Sequence, residues 1–234
     1  MGWSGRDTLP HAFVRFAPVR YAPVCATPPV RPTPLTRKGA SVAPFSTSQA
    51  IRILFVCHGN ICRSTMAQSV MQHLVDQAGL SACFVIDSAA TSTEEIGEAP
   101  HHGTRRVLSD HGVPCVPHRA RQLRRGEYEQ WDLFVGMDAA NIRNMRRMLA
   151  GDAAGKVHKL MEYAEASSAD EAADVADPWY TGDFETTYAD VLAGCEALLA
   201  WCRSYLVKAG RPAAAVRPGA SARAAAAPTP KAGR

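Results

Sequence analysis

The sequence lacks a C-x-x-C pair, a G-x-x-x-x-G-K-[ST] nucleotide loop, and any apolar run approaching the ~18 residues of a membrane-spanning helix. The last absence leaves no membrane span to expect. The second removes a Walker-type nucleotide site. The seven cysteines (Cys25, Cys57, Cys62, Cys83, Cys115, Cys195, Cys202) are odd in number and show no paired spacing. That argues against a disulfide framework and for a reducing compartment. Acid is nearly missing from both ends: residues 1–50 hold six Lys/Arg against Asp7 alone, and residues 203–234 hold seven with no acid. Residues 51–202 therefore carry thirteen basic and twenty-one acidic side chains, a net −8 inside a chain of +4. The excess of positive charge belongs to the ends and implies no nucleic-acid partner for the core.

Proline is also scarce in the middle, where only Pro100, Pro114, Pro117 and Pro178 of the 16 fall between residues 51 and 210. At 234 residues the chain suits one full core. Residues 1–50 and 209–234 have too little periodic apolar content to offset the entropy of ordering, so both are expected to be disordered. The acid-poor, Arg-dotted start also fits an organelle transit peptide, and without a continuous apolar h-region secretion is not expected. The expected location is intracellular: a plastid or mitochondrion after removal of the leader, otherwise the cytoplasm.

What remains is a core at 51–208. "IRILFV" reads as a strand buried on both faces, and "TMAQSVMQHLVDQAGL" as a helix that Ser64 or Thr65 can cap and Gly79 can stop. "ACFVID", "DLFVGM" and "KVHKLM" read as further strands, with helices in "HHGTRRVLSDHG" and "DAANIRNMRRMLAG". In the last helix Phe184, Tyr188, Val191, Cys195, Leu198, Cys202 and Tyr205 share one face. Alternating strands and helices predict an α/β fold, a parallel sheet with helices on both sides. Ligands in such folds sit beyond the carboxyl ends of the strands, where "CHGNICRS" falls directly after the first one.

That loop suits an anion. Converging N–H groups and the positive end of a helix dipole face a bound phosphate. Gly59 lets backbone approach it, and Asn60 tolerates a left-handed turn. Arg63 offers a planar fork for two phosphate oxygens. The same field favours a thiolate, so Cys57 is expected to ionise below the usual ~8.5, with the Ser64 hydroxyl donating to its sulfur. A thiolate beneath a phosphate is placed for in-line attack on phosphorus. The plain alternative is a buried Cys ending a strand and a surface Arg starting a helix; the spacing alone would favour that, but Gly, Asn, Ser, strand and helix all agree against it. Breaking the ester also needs an acid. "DPWY" supplies Asp177, biased toward an extended conformation by Pro178, with Trp179 and Tyr180 able to wall a cleft or simply tuck on the core.

"VCHGNICRST" and "DPWY", with "DSAATS", "EIG", "HRARQL", "GMDAAN" and "GDFETTY" in order, resemble the low-molecular-weight protein tyrosine phosphatases over about residues 51–208. The resemblance implies a four-stranded parallel sheet flanked by helices, a cysteinyl-phosphate intermediate, and neither metal nor other cofactor. It implies Cys57 as nucleophile, Arg63 as phosphate clamp and Asp177 as general acid, then base. His58, Gly59, Asn60, Ile61, Cys62 and Ser64 would surround the phosphate, with Glu94, Trp179 and Tyr180 at the rim. Asn60, Ser88, His118 and Asp138 would brace the loop, although each also fits an ordinary polar role: a turn, a strand end, a loop and a helix cap. The implied substrates are phosphotyrosine proteins or small aryl phosphates, and a monomer is expected.

Thr65 replaces the family's usual Pro, and Glu94 takes a rim place that is often aromatic, which would disfavour acidic sequences around a phosphotyrosine. Three rivals differ in class or substrate. Protein-arginine phosphatases carry Thr where this chain has Ile61. Thioredoxin-coupled arsenate reductases need two further cysteines on a mid-chain segment, which is empty of Cys between Cys115 and Cys195; Cys83 is expected in a strand and Cys115 after a helix. An inactive phosphate-binding module would be expected to lack Cys57, Arg63 or Asp177. Metal binding by His101 and His102 has no convincing partner set, and a helix-start turn is the expected role of "PHHG".

Overall fold

Every residue of the apolar run except Arg52 is buried in β1 (Ile51–Cys57). The computed structural model describes residues 50–165, 167–168 and 170–208. The expected extension, apart from Ala50, and the 209–234 tail lie outside the described residues. After β1 come α1 (Arg63–Gln77), β2 (Phe84–Ala90), α2 (His102–Asp110), β3 (Leu133–Gly136), α3 (Ala139–Met148) and β4 (Val157–Lys159). Two short helices, α4 (Met161–Glu165) and α5 (Pro178–Thr181), precede the long α6 (Phe184–Lys208).

The four strands pair in parallel in the order β2-β1-β3-β4. The chain leaves β1 for β2 on one side and returns to β3 on the other. Connections therefore diverge at the carboxyl ends of β1 and β3, opening a crevice there. Cys57 ends β1, and Asp138 follows β3 by two residues.

Alternation along β1 divides the core between the two faces of the sheet. Ile51, Ile53, Phe55 and Cys57 pack with Met66, Val70, Val191, Cys195, Leu198 and Cys202 of α1 and α6. Leu54 and Val56 pack with Ile142, Met145, Trp131 and Phe134 on the other side. A side chain as deeply buried as Phe55 contributes about 1.5–3 kcal/mol by its transfer from water. Gly136 admits α3 to the sheet, since a Cβ there would lie 2.9 Å from the Met145 methyl. The α6 stripe is buried as expected from Tyr188 to Cys202, with Phe184 and Tyr205 partly exposed. Gly79, at φ 67°, ends α1.

Three local expectations are corrected. Neither Ser64 nor Thr65 caps α1: the helix starts at Arg63, Cys62 holds the N-cap position without a capping bond, and Ser64 reaches the Cys57 sulfur instead. Thr65 turns back on Ile61 O and Cys62 O (3.0 and 2.9 Å). Cys83 ends a 3-10 turn before β2 rather than lying in the strand, and β2 runs on to Ala90, so Ser88 is inside it.

Candidate active site

Asn60 organises the loop between β1 and α1. It is fully buried and left-handed, at φ 60°, which an amide side chain with local partners tolerates. Its Nδ2 donates to Ser64 Oγ and Ser88 Oγ, each at 2.9 Å. Its Oδ1 accepts from Arg121 N at 3.1 Å and lies 2.7 Å from His118 Nε2. Because that oxygen is an acceptor only, His118 must carry its proton on Nε2. Burial lowers the His118 pKa against the pull of Asp87, which favours the neutral ring.

The curl aims donors at the Cys57 sulfur. Asn60 N reaches it at 3.2 Å and Ser64 Oγ at 3.1 Å. Since Asn60 donates to the Ser64 oxygen, the Ser64 proton is free to point at sulfur. The amino end of α1 starts at this loop, and Cys62 supplies no side-chain cap, so its N–H groups remain for an anion. Cys62 is itself buried, and burial, followed by the charges of Cys57 and Asp177, pushes its thiol up to about 12.

Arg63 joins the three segments of the site. The residue is 4% exposed, and its guanidinium donates through NH1 to Asp138 Oδ2 at 2.7 Å and pairs through NH2 with Asp177. Burial alone would lower the Arg63 pKa, but the charges of Cys57 and Asp177 and the bond to Asp138 outweigh it and hold the value above the ordinary one. Asp138 does two things at once. Oδ2 takes Arg63, and Oδ1 caps α3 by accepting from Asn141 N at 2.6 Å. The helix-cap role and the bracing role considered for it from sequence therefore coexist.

Asp177 is extended (φ −94°, ψ 107°) and caps α5, accepting from Trp179 N at 3.1 Å, with Pro178 at the first helical position. The neighbouring carboxylates are engaged elsewhere: Asp174 with Lys159, and Asp183 with Thr186 at the start of α6. Trp179 and Tyr180, which follow Asp177 in α5, are 60% and 85% exposed. His58 Nε2 meets Glu94 Oε2 at 3.0 Å, both exposed. Gly59 lies under Glu95, whose Cγ would be 3.1 Å from a Cβ placed there. Ile61 is buried with Cys62 and Ala120, so it supports the loop from inside.

Sequence reasoning missed four contributors. Gln68 accepts from Ser88 Oγ at 2.7 Å, and Arg121 ties the Asn60 network to Asp87 and Glu127. His101 starts α2 as expected, its ring accepting from Gly103 N. Its backbone N–H also holds Ile61 O at 2.8 Å, while its ring stacks on Phe184 and meets Trp179 edge-on. Lys159 was read only as part of a strand. Only "HRARQL" carried any sign of Arg121. Among the described residues no three or more His, Cys, Asp or Glu converge as metal ligands, and no helix is long and apolar enough to cross a membrane.

Residues 52–209 match the sequence profile described as "Low molecular weight phosphotyrosine protein phosphatase". The chain is 39% identical to the low molecular weight protein-tyrosine-phosphatase YfkJ of Bacillus subtilis over 150 residues, 64% of this chain and 94% of that protein. The YfkJ crystal structure is similar with a TM-score of 0.62 and 37% identity, covering 66% of this chain and 96% of that one. A low molecular weight protein-tyrosine-phosphatase of Streptomyces coelicolor is 39% identical over 155 residues, 65% of this chain and 93% of its own. The crystal structure of a Drosophila arginine phosphatase is similar with a TM-score of 0.58 and 27% identity, covering 65% of this chain and 98% of that one.

Proposed function

The chain belongs to the low-molecular-weight protein-tyrosine-phosphatase family, and on that premise we propose that Cys57, Arg63 and Asp177 hydrolyse aryl phosphate esters in two steps. In the first, the Cys57 sulfur attacks phosphorus in line. The P–O bond to the phenol breaks, and the Asp177 carboxyl gives its proton to the departing oxygen. Loop N–H groups and the Arg63 fork hold the three equatorial oxygens as charge develops on them. In the second step water attacks the cysteinyl phosphate, Asp177 takes the water's proton, and the S–P bond breaks. The Ser64 hydroxyl stabilises the sulfur as it leaves.

One observation carries this reading: a single buried guanidinium touches the carboxylates of both Asp138 and Asp177 beside a sulfur that receives two hydrogen bonds. Exposed Trp179 and Tyr180 support a flat substrate ring, and phosphotyrosine in proteins or a small aryl phosphate fits that reading. Cys57→Ser should abolish turnover of phosphotyrosine while leaving inorganic phosphate binding, measured by calorimetry, largely in place. Sustained hydrolysis by that variant would remove Cys57 as nucleophile.

Phosphoarginine is the second substrate reading, supported by the likeness to the Drosophila arginine phosphatase. The apolar Ile61 within the loop favours the aryl ester, and rates on phosphotyrosine and phosphoarginine peptides decide between them. For residues 1–50 two readings stand: a transit peptide to a plastid or mitochondrion, supported by six basic residues against one acid, or an extension that stays on a cytoplasmic protein. Amino-terminal sequencing of the cellular protein separates them.

A further inference from the structure

The acid arm is held from a place that the motifs do not mark. Lys159, the last residue of β4, is only 3% exposed. Its ammonium donates to Ala172 O at 2.6 Å and pairs with Asp174 Oδ1 at 2.8 Å. Asp174 Oδ1 also accepts from Ala139 N, the first residue of α3. Beyond it, Val175 N reaches Met137 O at 2.9 Å. Ala176 is gripped at both polar groups from α6: its N–H by Asp190 Oδ2 and its carbonyl by Thr187 Oγ1, each at 2.9 Å. Asp177 comes next. Apart from the turn bond of Ala172 N to Ser168 O, the bonds from Ala172 to Ala176 lead to the sheet, the helices around it or the link between β3 and α3, and a buried cation on β4 is one of their anchors.

A buried ammonium is a poor device for stability alone. Desolvating it costs several kcal/mol, and well-packed apolar residues often replace such pairs without loss. Here the ammonium reaches two points of one arm, which no apolar side chain would do. We propose that Lys159 is a positioning residue for Asp177, fixing where the carboxyl meets the leaving oxygen. This rests on the reading of Asp177 as general acid. A displacement of about 1 Å at a reacting group can cost up to ~10²-fold in rate. That cost should fall on esters whose leaving group needs the proton.

The test is rapid-quench measurement of phosphoenzyme formation from phosphotyrosine and from 4-nitrophenyl phosphate in Lys159→Met. The phenol of tyrosine, with a pKa of about 10, needs protonation far more than a nitrophenol does. The expected result is a ~10-fold or greater slowing on phosphotyrosine, a much smaller one on the nitrophenyl ester, and unchanged inhibition by inorganic phosphate. In an Asp177→Asn background the Lys159→Met change should add nothing to the ratio between the two esters. Asp174→Asn, at a half-exposed position, should shift the ratio in the same direction and serves if Lys159→Met does not fold. Equal slowing on both esters, a proportional loss of phosphate affinity, or an unchanged ratio in the folded variant overturns the inference. A wild-type chain inert on both esters overturns the phosphatase reading, and this inference with it.

Discussion

The loop after β1 and the arm before α5 meet at Arg63, yet they are held in opposite ways. The loop is built into the core: Asn60 and Ser64 are fully buried, and side chains from α1, β2 and the 118–121 segment close on them. The arm is tied at its root by Lys159, Asp190 and Thr187 and ends in two exposed aromatics. On the proposed function, recognition of the phosphate rests on this buried framework. Chemistry that depends on the leaving group, and selection of what surrounds it, sit on the exposed side.

The division has measurable consequences. Removing the acid should separate the two regions most widely. Asp177→Asn should slow phosphoenzyme formation from phosphotyrosine by ~10²–10⁴-fold and that from 4-nitrophenyl phosphate far less. Equal slowing would erase the distinction and move the acid elsewhere, although Asp174 and Asp183 are already engaged by Lys159 and Thr186. Changing the loop should hurt without discrimination. Arg63→Lys keeps the charge but loses the fork, so a ~10²-fold or larger loss on both esters is expected, together with weaker binding of inorganic phosphate. A loss confined to phosphotyrosine would place Arg63 functionally with the arm.

A smaller effect sharpens the loop side. Peroxide is expected to convert Cys57 to a sulfenic acid, from which the Cys62 thiol in the same loop would displace water to form a disulfide. Thiol should then restore the oxidised wild type more fully than Cys62→Ser, with the 57–62 link visible by mass spectrometry. Equal recovery would mean that Cys62 gives no protection.

The smallest prediction concerns pH. Burial lowers the folded-state pKa of His118, so the unfolded chain protonates this ring first on acidification. Stability from this site is intact above about pH 6.5 and declines as pH falls from there through the folded value. His118→Gln should flatten that part of a melting-temperature profile, and an unchanged slope would show that the ring is not the group responsible.

Much of this was legible in the sequence because it is local. The run 51–56, the C-x5-R loop and D-P-W-Y each carry their geometry within ten residues, and a parallel sheet flanked by helices needs only alternation of elements. The start of α1 was misplaced because Ser64, a good cap by type, has a better partner in the sulfur seven residues back. Gln68, Arg121 and Lys159 were passed over, and the hold of His101 on Ile61 was missed, because these roles arise only in three dimensions. Arg121 reaches Asn60 across 61 positions, and nothing near Lys159 announces that its ammonium faces Ala172, thirteen residues on.

Asp138, one oxygen on α3 and the other on Arg63, also offers a way to watch the site from outside it. Whenever the first turn of α3 unwinds, the carboxylate that steadies the guanidinium is released with it. The amide proton of Asn141 is the one that the cap protects, so its exchange with deuterated water counts those openings directly. A bound anion that tightens Arg63 should slow that exchange, making one backbone amide a built-in gauge of occupancy that needs no chromogenic substrate.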